Sequence, residues 1–227
     1  MDHFNYQEDI LFAEDVALTD IAKQYGTPSY VYSRATLERH AKAYTESFKS
    51  MDGLVCFSVK ALSNIAILKV LKKCGCGFDI VSGGELHRAL LAGADPKKII
   101  FSGVGKTEKE IEQGIQTNIL SFNVESASEL YTIERKAKDL NSSAPISIRI
   151  NPDIDSGGHD YITTGRKGDK FGISSIQDIF ELCRYSSTSQ NLNLVGLACH
   201  IGSQILDLDG YIKSADKIFE LSDQLSK

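Results

Sequence analysis

The feature that most constrains the fold is a regular alternation of short apolar segments with amphipathic helical segments. The apolar segments predict six strands, at residues 54–59, 78–81, 99–102, 119–124, 146–150 and 194–199. Helical periodicity between them predicts helices near 64–73, 84–92, 108–117, 126–139, 176–186 and 209–226. Strands that alternate with helices pair in parallel, because each helix returns the chain to the same end of the sheet. The chain is therefore predicted to be an α/β protein with a parallel sheet.

Residues typical of helix caps and turns support the boundaries of these predicted strands and helices. Side chains that cap helices stand near several predicted helix starts: Asn64, Ser82, Thr107 and Ser126. The first 32 residues lie outside the alternation, and only a short strand over 29–32 is predicted there, after the turn signal at 26–28. Ser33 then begins a helix over about 35–50. We divide the chain into an N-terminal segment, 1–34, and a βα domain, 35–227.

A doubly wound sheet and a closed (β/α)₈ barrel both fit the alternation. The strand ends favour the barrel, because each carries a polar residue near its carboxyl terminus: Lys60, Asp79, Ser102, Asn123, Arg149 and His200. Barrel enzymes draw their sites from this rim, whereas an open sheet concentrates its ligand contacts at one switch point. Strands also become polar where they simply reach solvent, but such an accident does not explain all six ends.

Lys60 is the first candidate for chemistry. Strand alternation places it on the same face as Cys56 and Ser58. A lysine on the inner face of a buried strand needs an ionic partner or must lose its proton. Two interpretations stay open: a salt-bridged cluster with Asp79 and Glu85, or a nucleophilic amine. The cluster does not account for the imidazole and the hydroxyl of the segment 200–204, His-Ile-Gly-Ser-Gln, where a glycine lets the backbone approach a ligand.

The connection 151–172 is far longer than the others. It shows no apolar period and contains five glycines. Loops of this length inside a compact domain are usually functional or disordered. Because Tyr161, Ile162 and Phe171 provide apolar anchors, we predict an ordered active-site loop.

Charge and targeting signals indicate the compartment and the kind of partner. The net charge of -5 is spread along the chain without a basic block, which argues against nucleic acid or a membrane surface and favours a small soluble ligand. The first nine residues lack a basic and an apolar region, and no segment could span a bilayer, so we expect a cytoplasmic protein. The five cysteines are unpatterned, which predicts reduced thiols and no metal site.

The motifs, taken together, carry a family resemblance. The sequence resembles the pyridoxal-phosphate-dependent decarboxylases with an alanine racemase-like barrel, and most closely their diaminopimelate branch. The matching motifs follow one another along almost the whole chain, at 25–32, 57–61, 78–86, 101–106, 122–126, 149–152, 159–172 and 200–204. The pattern His-x-Tyr-Ile-x-Thr-Gly that starts at His159 looks specific to that branch.

The resemblance implies pyridoxal 5'-phosphate as cofactor and a set of residue roles. Lys60 would hold the cofactor as a Schiff base, His200 would stack on its ring, and Ser203 would contact its phosphate. Asp79 and Glu85 would lie near Lys60, and Arg149 would project toward the ring. The implied reaction is decarboxylation of meso-2,6-diaminopimelate to L-lysine, the last step of lysine biosynthesis, in a homodimeric enzyme.

The sequence also departs from the family. An eight-stranded barrel needs two more βα units, and the family's glycine-rich phosphate loop, the acidic partner of the pyridine nitrogen and the C-terminal β domain are not found. We therefore expect the N-terminal part of a longer protein, with residues 1–34 belonging with its β domain. Two alternatives remain. One is a decarboxylase of ornithine, arginine or carboxynorspermidine, against which the 151–172 loop argues. The other is a non-catalytic carrier of the cofactor, which would have to fit eight strands into this length.

Overall fold

The structure, a computed structural model, describes residues 3–154, 171–203 and 205–225. Six parallel strands, each followed by a helix, form one sheet. The strands are β4 (Cys56–Ser58), β5 (Gly77–Ile80), β6 (Ile99–Phe101), β7 (Ser121–Val124), β8 (Ala144–Arg149) and β9 (Leu192–Ala198). The helices that follow them are α3 (Ile65–Lys73), α4 (Gly83–Leu91), α5 (Glu108–Thr117), α6 (Ala127–Asp139), α7 (Ile176–Thr188) and α8 (Asp209–Leu225).

The order of the strands decides between the two predicted architectures. Neighbours in the sheet follow the sequence from β4 to β9 without a reversal, and every pair is parallel. A doubly wound sheet reverses its order at a switch point, whereas a barrel adds each strand on the same side of the last one. The barrel architecture is therefore confirmed, with six βα units in the described part of the chain.

Side chains alternate between the two faces of this sheet. Phe78 and Ile80 are fully buried, and Asp79 between them is only partly buried. Phe122 and Val124 flank Asn123 in the same way. Because successive side chains of a strand point to opposite faces, the apolar residues pack against the helices and the polar ones share the inner face. This alternation brings polar groups from different strands together.

The predicted helix caps are present. Asn64 Oδ1 accepts hydrogen bonds from the backbone N–H groups of residues 66 and 67, and Ser82, Thr107 and Ser126 each accept one from the third residue of the helix that follows. These bonds satisfy amide donors that have no partner inside the helix. Each helix consequently starts within one residue of its predicted first residue, close to the end of the preceding strand.

The N-terminal segment differs from the prediction. Residues 29–32 form no strand, and Tyr30 is almost fully exposed, because no neighbouring strand pairs with this backbone in the described residues. Instead, β1 (Phe4–Gln7), β2 (Ile10–Ala13) and β3 (Val16–Ala17) form an antiparallel sheet that precedes α1 (Leu18–Tyr25). The β1–β2 hairpin turns at Glu8 and Asp9, which both have positive φ. These residues lack the Asn-Gly or Asp-Gly signature by which such a turn is recognised.

The N-terminal segment contacts the βα domain at the start of α2 (Arg34–Phe48). Glu14 accepts hydrogen bonds from the Ser33 hydroxyl and from the backbone N–H of Ala35. None of the described helices is both long enough and apolar enough to cross a bilayer. All five cysteines are free thiols, and burial raises the pKa of Cys56 to about 12 and that of Cys183 to about 11.

Candidate active site

A cavity of about 670 Å³ opens at the carboxyl-terminal end of the sheet, and we call it the rim cavity. Each strand from β4 to β9 contributes a residue from its carboxyl-terminal end or from the loop that follows it. Five of the six residues predicted for the cofactor site line this cavity: Lys60, Asp79, Arg149, His200 and Ser203. Ser102 and Asn123, which were predicted as rim residues, line it as well. The rim of the barrel is therefore the place where the candidate side chains meet.

A chain of hydrogen bonds runs along the cavity wall across four neighbouring strands. The Asn123 side-chain amide donates to the Ser102 hydroxyl at 2.9 Å, and that hydroxyl donates to Asp79 Oδ1 at 2.5 Å. The Ser58 hydroxyl donates to Asp79 Oδ2 at 3.2 Å. Both carboxylate oxygens of Asp79 thus accept hydrogen bonds, which fixes the orientation of this negative charge before any ligand arrives.

The structure corrects the predicted surroundings of Lys60. Strand β4 ends at Ser58, and a 3₁₀ turn over Val59–Ala61 follows, so the strand alternation stops before the lysine. Val59 is fully buried, whereas Lys60 is exposed and borders the rim cavity. Within the described ranges no carboxylate lies close enough to form an ion pair with it. The predicted burial of Lys60 is therefore wrong, the alternative of a salt-bridged cluster is not found among the described residues, and the lysine borders the cavity.

His200 and Ser203 follow β9 and complete the opposite side of the cavity. His200 borders the cavity and is exposed, but protein atoms around it still remove part of its hydration. This partial desolvation lowers the pKa of His200, and the positive charges of Arg149 and Lys60 act in the same direction. A neutral imidazole at neutral pH is the consequence.

Arg149 ends β8 beside the cavity and forms a buried ion pair. Its Nη1 donates to Glu125 Oε1 at 2.6 Å, with side-chain exposures of 10% for the arginine and 2% for the glutamate. The guanidinium carbon lies 5.1 Å from the centre of the Phe171 ring, within the range of a cation–π contact. No role was predicted for Glu125, although it closely follows the end of a strand, as His200 does.

Lys106 is a second lysine of this region, and its surroundings differ from those of Lys60. Its side chain has no exposed surface, and its ammonium donates to Glu129 Oε1, to the carbonyl of Gly103 and to the carbonyl of Asn123 at 2.6–2.8 Å. The ammonium also lies 5.7 Å from the centre of the Phe101 ring. Because this amine is fully buried and bound to three acceptors, a ligand in the rim cavity cannot reach it.

Glu85 is the predicted site residue that the structure does not bring to the cavity. Its carboxylate accepts from the backbone N–H of Val81 at 2.8 Å, and its own N–H donates to the Ser82 hydroxyl. Glu129 and Ser126 repeat this arrangement at the start of α6. In both helices the pattern Ser-x-x-Glu closes the loop between strand and helix. Its proposed proximity to Lys60 stays a prediction, and its observed role is to hold this turn.

Several sequence predictions lie outside the described residues. These are the loop positions His159, Tyr161 and Ile162, together with Lys170 and Gln204. Among the described residues no group of three or more His, Cys, Asp and Glu side chains could hold a metal ion. The polar groups that line the rim cavity include an amine, an imidazole, hydroxyls, a carboxylate and a guanidinium.

The amino-acid sequence matches one known protein family over most of its length. Residues 34–227 match the pyridoxal binding domain of the pyridoxal-dependent decarboxylases. The chain belongs to this family. As a member of the pyridoxal-dependent decarboxylases, it has Lys60, His200 and Ser203 inside the matched region, on the rim where its barrel opens.

The relatives of this chain within the family include several diaminopimelate decarboxylases. The chain is 50% identical over 226 residues to the diaminopimelate decarboxylase of Vibrio cholerae, covering 99% of this chain and 54% of that protein. The diaminopimelate decarboxylase of Helicobacter pylori, solved with L-lysine, superposes with a TM-score of 0.87 at 42% identity, over 92% of this chain and 52% of that one. The diaminopimelate decarboxylase of M. jannaschii, also with L-lysine, gives 0.91 at 36% identity, over 98% and 53%. The chain thus spans about half the length of the relatives that it matches.

The residues of the rim cavity fit a pyridoxal group by their chemistry. A pyridoxal aldehyde needs an accessible amine, which Lys60 offers and Lys106 does not. A planar side chain can pack against an aromatic cofactor ring, and the imidazole of His200 borders the cavity. The volume of about 670 Å³ falls within the range of cofactor pockets.

Proposed function

We propose that this chain forms the cofactor site of an enzyme that removes one carboxyl group from meso-2,6-diaminopimelate and so produces L-lysine. The observation that carries the proposal is the exposed amine of Lys60, which opens into the same cavity as His200, Ser203 and Arg149. The names of relatives at 36–50% identity support this choice of substrate. The cofactor we propose is pyridoxal 5'-phosphate.

Each residue then has a definite task. Lys60 would hold the cofactor through its amine, and Ser203 would contact the phosphate. His200 presents an uncharged imidazole to the ring, because desolvation and its cationic neighbours hold its pKa below the usual value. Asp79 supplies a fixed negative charge, oriented by the hydroxyls of Ser58 and Ser102. The bound pyridoxal group supplies the electron sink that stabilises the carbanion left when carbon dioxide departs.

Four further properties belong to this proposal. We infer that the intact protein is a homodimer and acts in the cytoplasm, that it does not bind nucleic acid, and that residues 1–34 belong with a β domain. The separate antiparallel sheet of β1–β3 and the start of the family match at residue 34 support this division of the chain.

Substrate comparison tests the proposal directly. Carbon dioxide release by the intact protein, with added pyridoxal phosphate, is measured from meso-diaminopimelate, ornithine, arginine, carboxynorspermidine and L-lysine at equal concentrations. We expect kcat/KM for meso-diaminopimelate to exceed that for every other substrate by at least about a hundredfold, a barrier difference of about 2.7 kcal/mol. Equal values for ornithine or arginine would favour the general decarboxylase. Absence of turnover with a firmly bound cofactor would favour the carrier.

A further inference from the structure

Glu125 lies beside the cavity and uses both of its carboxylate oxygens. Its side chain is 2% exposed. Oε1 accepts from Arg149 Nη1 at 2.6 Å and from the backbone N–H of Gly103 at 3.0 Å, and Oε2 accepts from the backbone N–H of Gly172 at 3.3 Å. Three separate parts of the chain therefore converge on one buried carboxylate: the loop after β6, the end of β8 and the residues before α7.

The donors that Glu125 collects belong to the cavity wall. Arg149, Gly103 and Phe171 line the cavity, and Phe171 is the neighbour of Gly172. Gly103 and Gly172 have φ values of 96° and 75°, a backbone conformation that glycine adopts without strain. Since a glycine has no side chain to anchor it, the direction of the backbone at these two turns depends on its hydrogen bonds. Glu125 provides one for each.

The neighbouring ion pair shows what a purely structural arrangement looks like. Glu129 accepts from Lys106, whose ammonium is otherwise bound by two backbone carbonyls, and neither side chain borders the cavity. The Glu125 pair differs, because its arginine lines the cavity and the same carboxylate binds the backbone of two turns beside the cavity. All three donors to Glu125 thus come from the cavity wall or from the residue next to it.

We propose that Glu125 is a positioning residue of the cofactor site, which orients Arg149 and fixes the turns at Gly103 and Gly172 beside the cavity. This inference rests on the proposed function, because the cavity matters only if it holds the cofactor. Glu125 does not line the cavity, so it acts through the groups that it binds.

The charge of Glu125 gives the proposal a second measurable consequence. His200 faces the cations Arg149 and Lys60 and the carboxylates Asp79 and Glu125. If Glu125 is neutralised, the charge of Arg149 loses its nearest counter-charge, and the positive potential at the imidazole increases. The titration of His200 should therefore move further toward low pH.

Glu125→Gln in the intact protein tests the proposal, with Glu112→Gln as the matched control. Glu112, on α5, also accepts from a cation, Lys136 of α6, and neither residue lines the cavity. The readouts are the dissociation constant of pyridoxal phosphate for the cofactor-free protein and the NMR titration of the His200 imidazole. Glu125→Gln should weaken cofactor binding by about tenfold or more and shift the titration to lower pH, because misplaced positioning groups cost factors of ten to about a hundred. The control should stay within about twofold of the unmodified protein.

The outcomes separate this inference from the proposed function. An unmodified protein that binds no pyridoxal phosphate overturns both. An unmodified protein that binds it, together with a folded Glu125→Gln variant that matches the control in both readouts, overturns only the role of Glu125. If Glu125→Gln does not fold, the double variant Glu125→Gln/Arg149→Met, which removes both charges, takes its place. A double variant that binds the cofactor as tightly as the control also overturns the proposal.

Discussion

Replacing Lys60 or Lys106 by methionine should have different consequences. Lys60→Met should abolish cofactor attachment with little change in stability, whereas Lys106→Met should destabilise the protein. Lys60→Met removes an exposed ammonium that has no carboxylate partner in the described residues, so the free energy of unfolding should change by no more than about 0.5 kcal/mol. Lys106→Met leaves Glu129, whose side chain is only 12% exposed, without its cation, and it leaves the carbonyls of Gly103 and Asn123 without their donor. Removing one partner of a buried pair costs about 3–5 kcal/mol. Since a domain is stable by only about 5–15 kcal/mol, much of the stability should be lost.

Two measurements on the intact protein check this prediction. Urea unfolding, followed by circular dichroism, gives the free energy of unfolding of both variants and of the unmodified protein. Borohydride reduction after addition of pyridoxal phosphate, followed by peptide mapping, locates the attached cofactor. The adduct should appear on Lys60 in the unmodified protein and should disappear in Lys60→Met. An adduct on Lys106 or Lys170, or equal stabilities of the two variants, would refute the reasoning.

Three further predictions concern single residues. His200→Ala should weaken pyridoxal phosphate binding by up to about tenfold, since an aromatic contact contributes about 0.5–1.5 kcal/mol, and unchanged affinity in a fluorescence titration would leave the histidine a structural residue. The pKa of His200 is lower in the folded protein than in the unfolded chain, so the unfolded chain binds more protons just below about pH 6.5. The stability that this histidine contributes should therefore be present above about pH 6.5 and be lost as the pH falls through the folded pKa. An NMR titration midpoint of His200 at or above about 6.5 would contradict this. Gly114→Ala should lower the free energy of unfolding by about 1–3 kcal/mol, because the new Cβ would lie 2.5 Å from Cζ of the buried Phe122 ring. Gly84→Ala, in the open first turn of α4, should be neutral or stabilising by up to about 1 kcal/mol in the same urea assay.

The sequence alone was sufficient for the βα alternation and for much of the rim. The period of the apolar residues records which faces of strands and helices are buried, and caps such as Asn64 and Ser126 record where backbone donors lack partners. Both signals are local, so they predicted the six units. Parallel strands end at one edge of a sheet, and for that reason Asp79 and Asn123 could be placed near each other before their shared hydrogen bonds to Ser102 were known.

Only the tertiary structure decided what each charged residue does there. Lys60, expected to be buried, is exposed because the chain turns after Ser58, and Lys106, which sequence analysis did not distinguish, is the buried one. The donors to Glu125 lie 22, 24 and 47 residues away along the chain. Whether a charge is desolvated, and by which partners it is compensated, depends on segments that meet only when the sheet has formed. Local periodicity carries no information about these long-range contacts. It could therefore locate the rim of this barrel, but it could not predict the burial and the partners of the charged residues there.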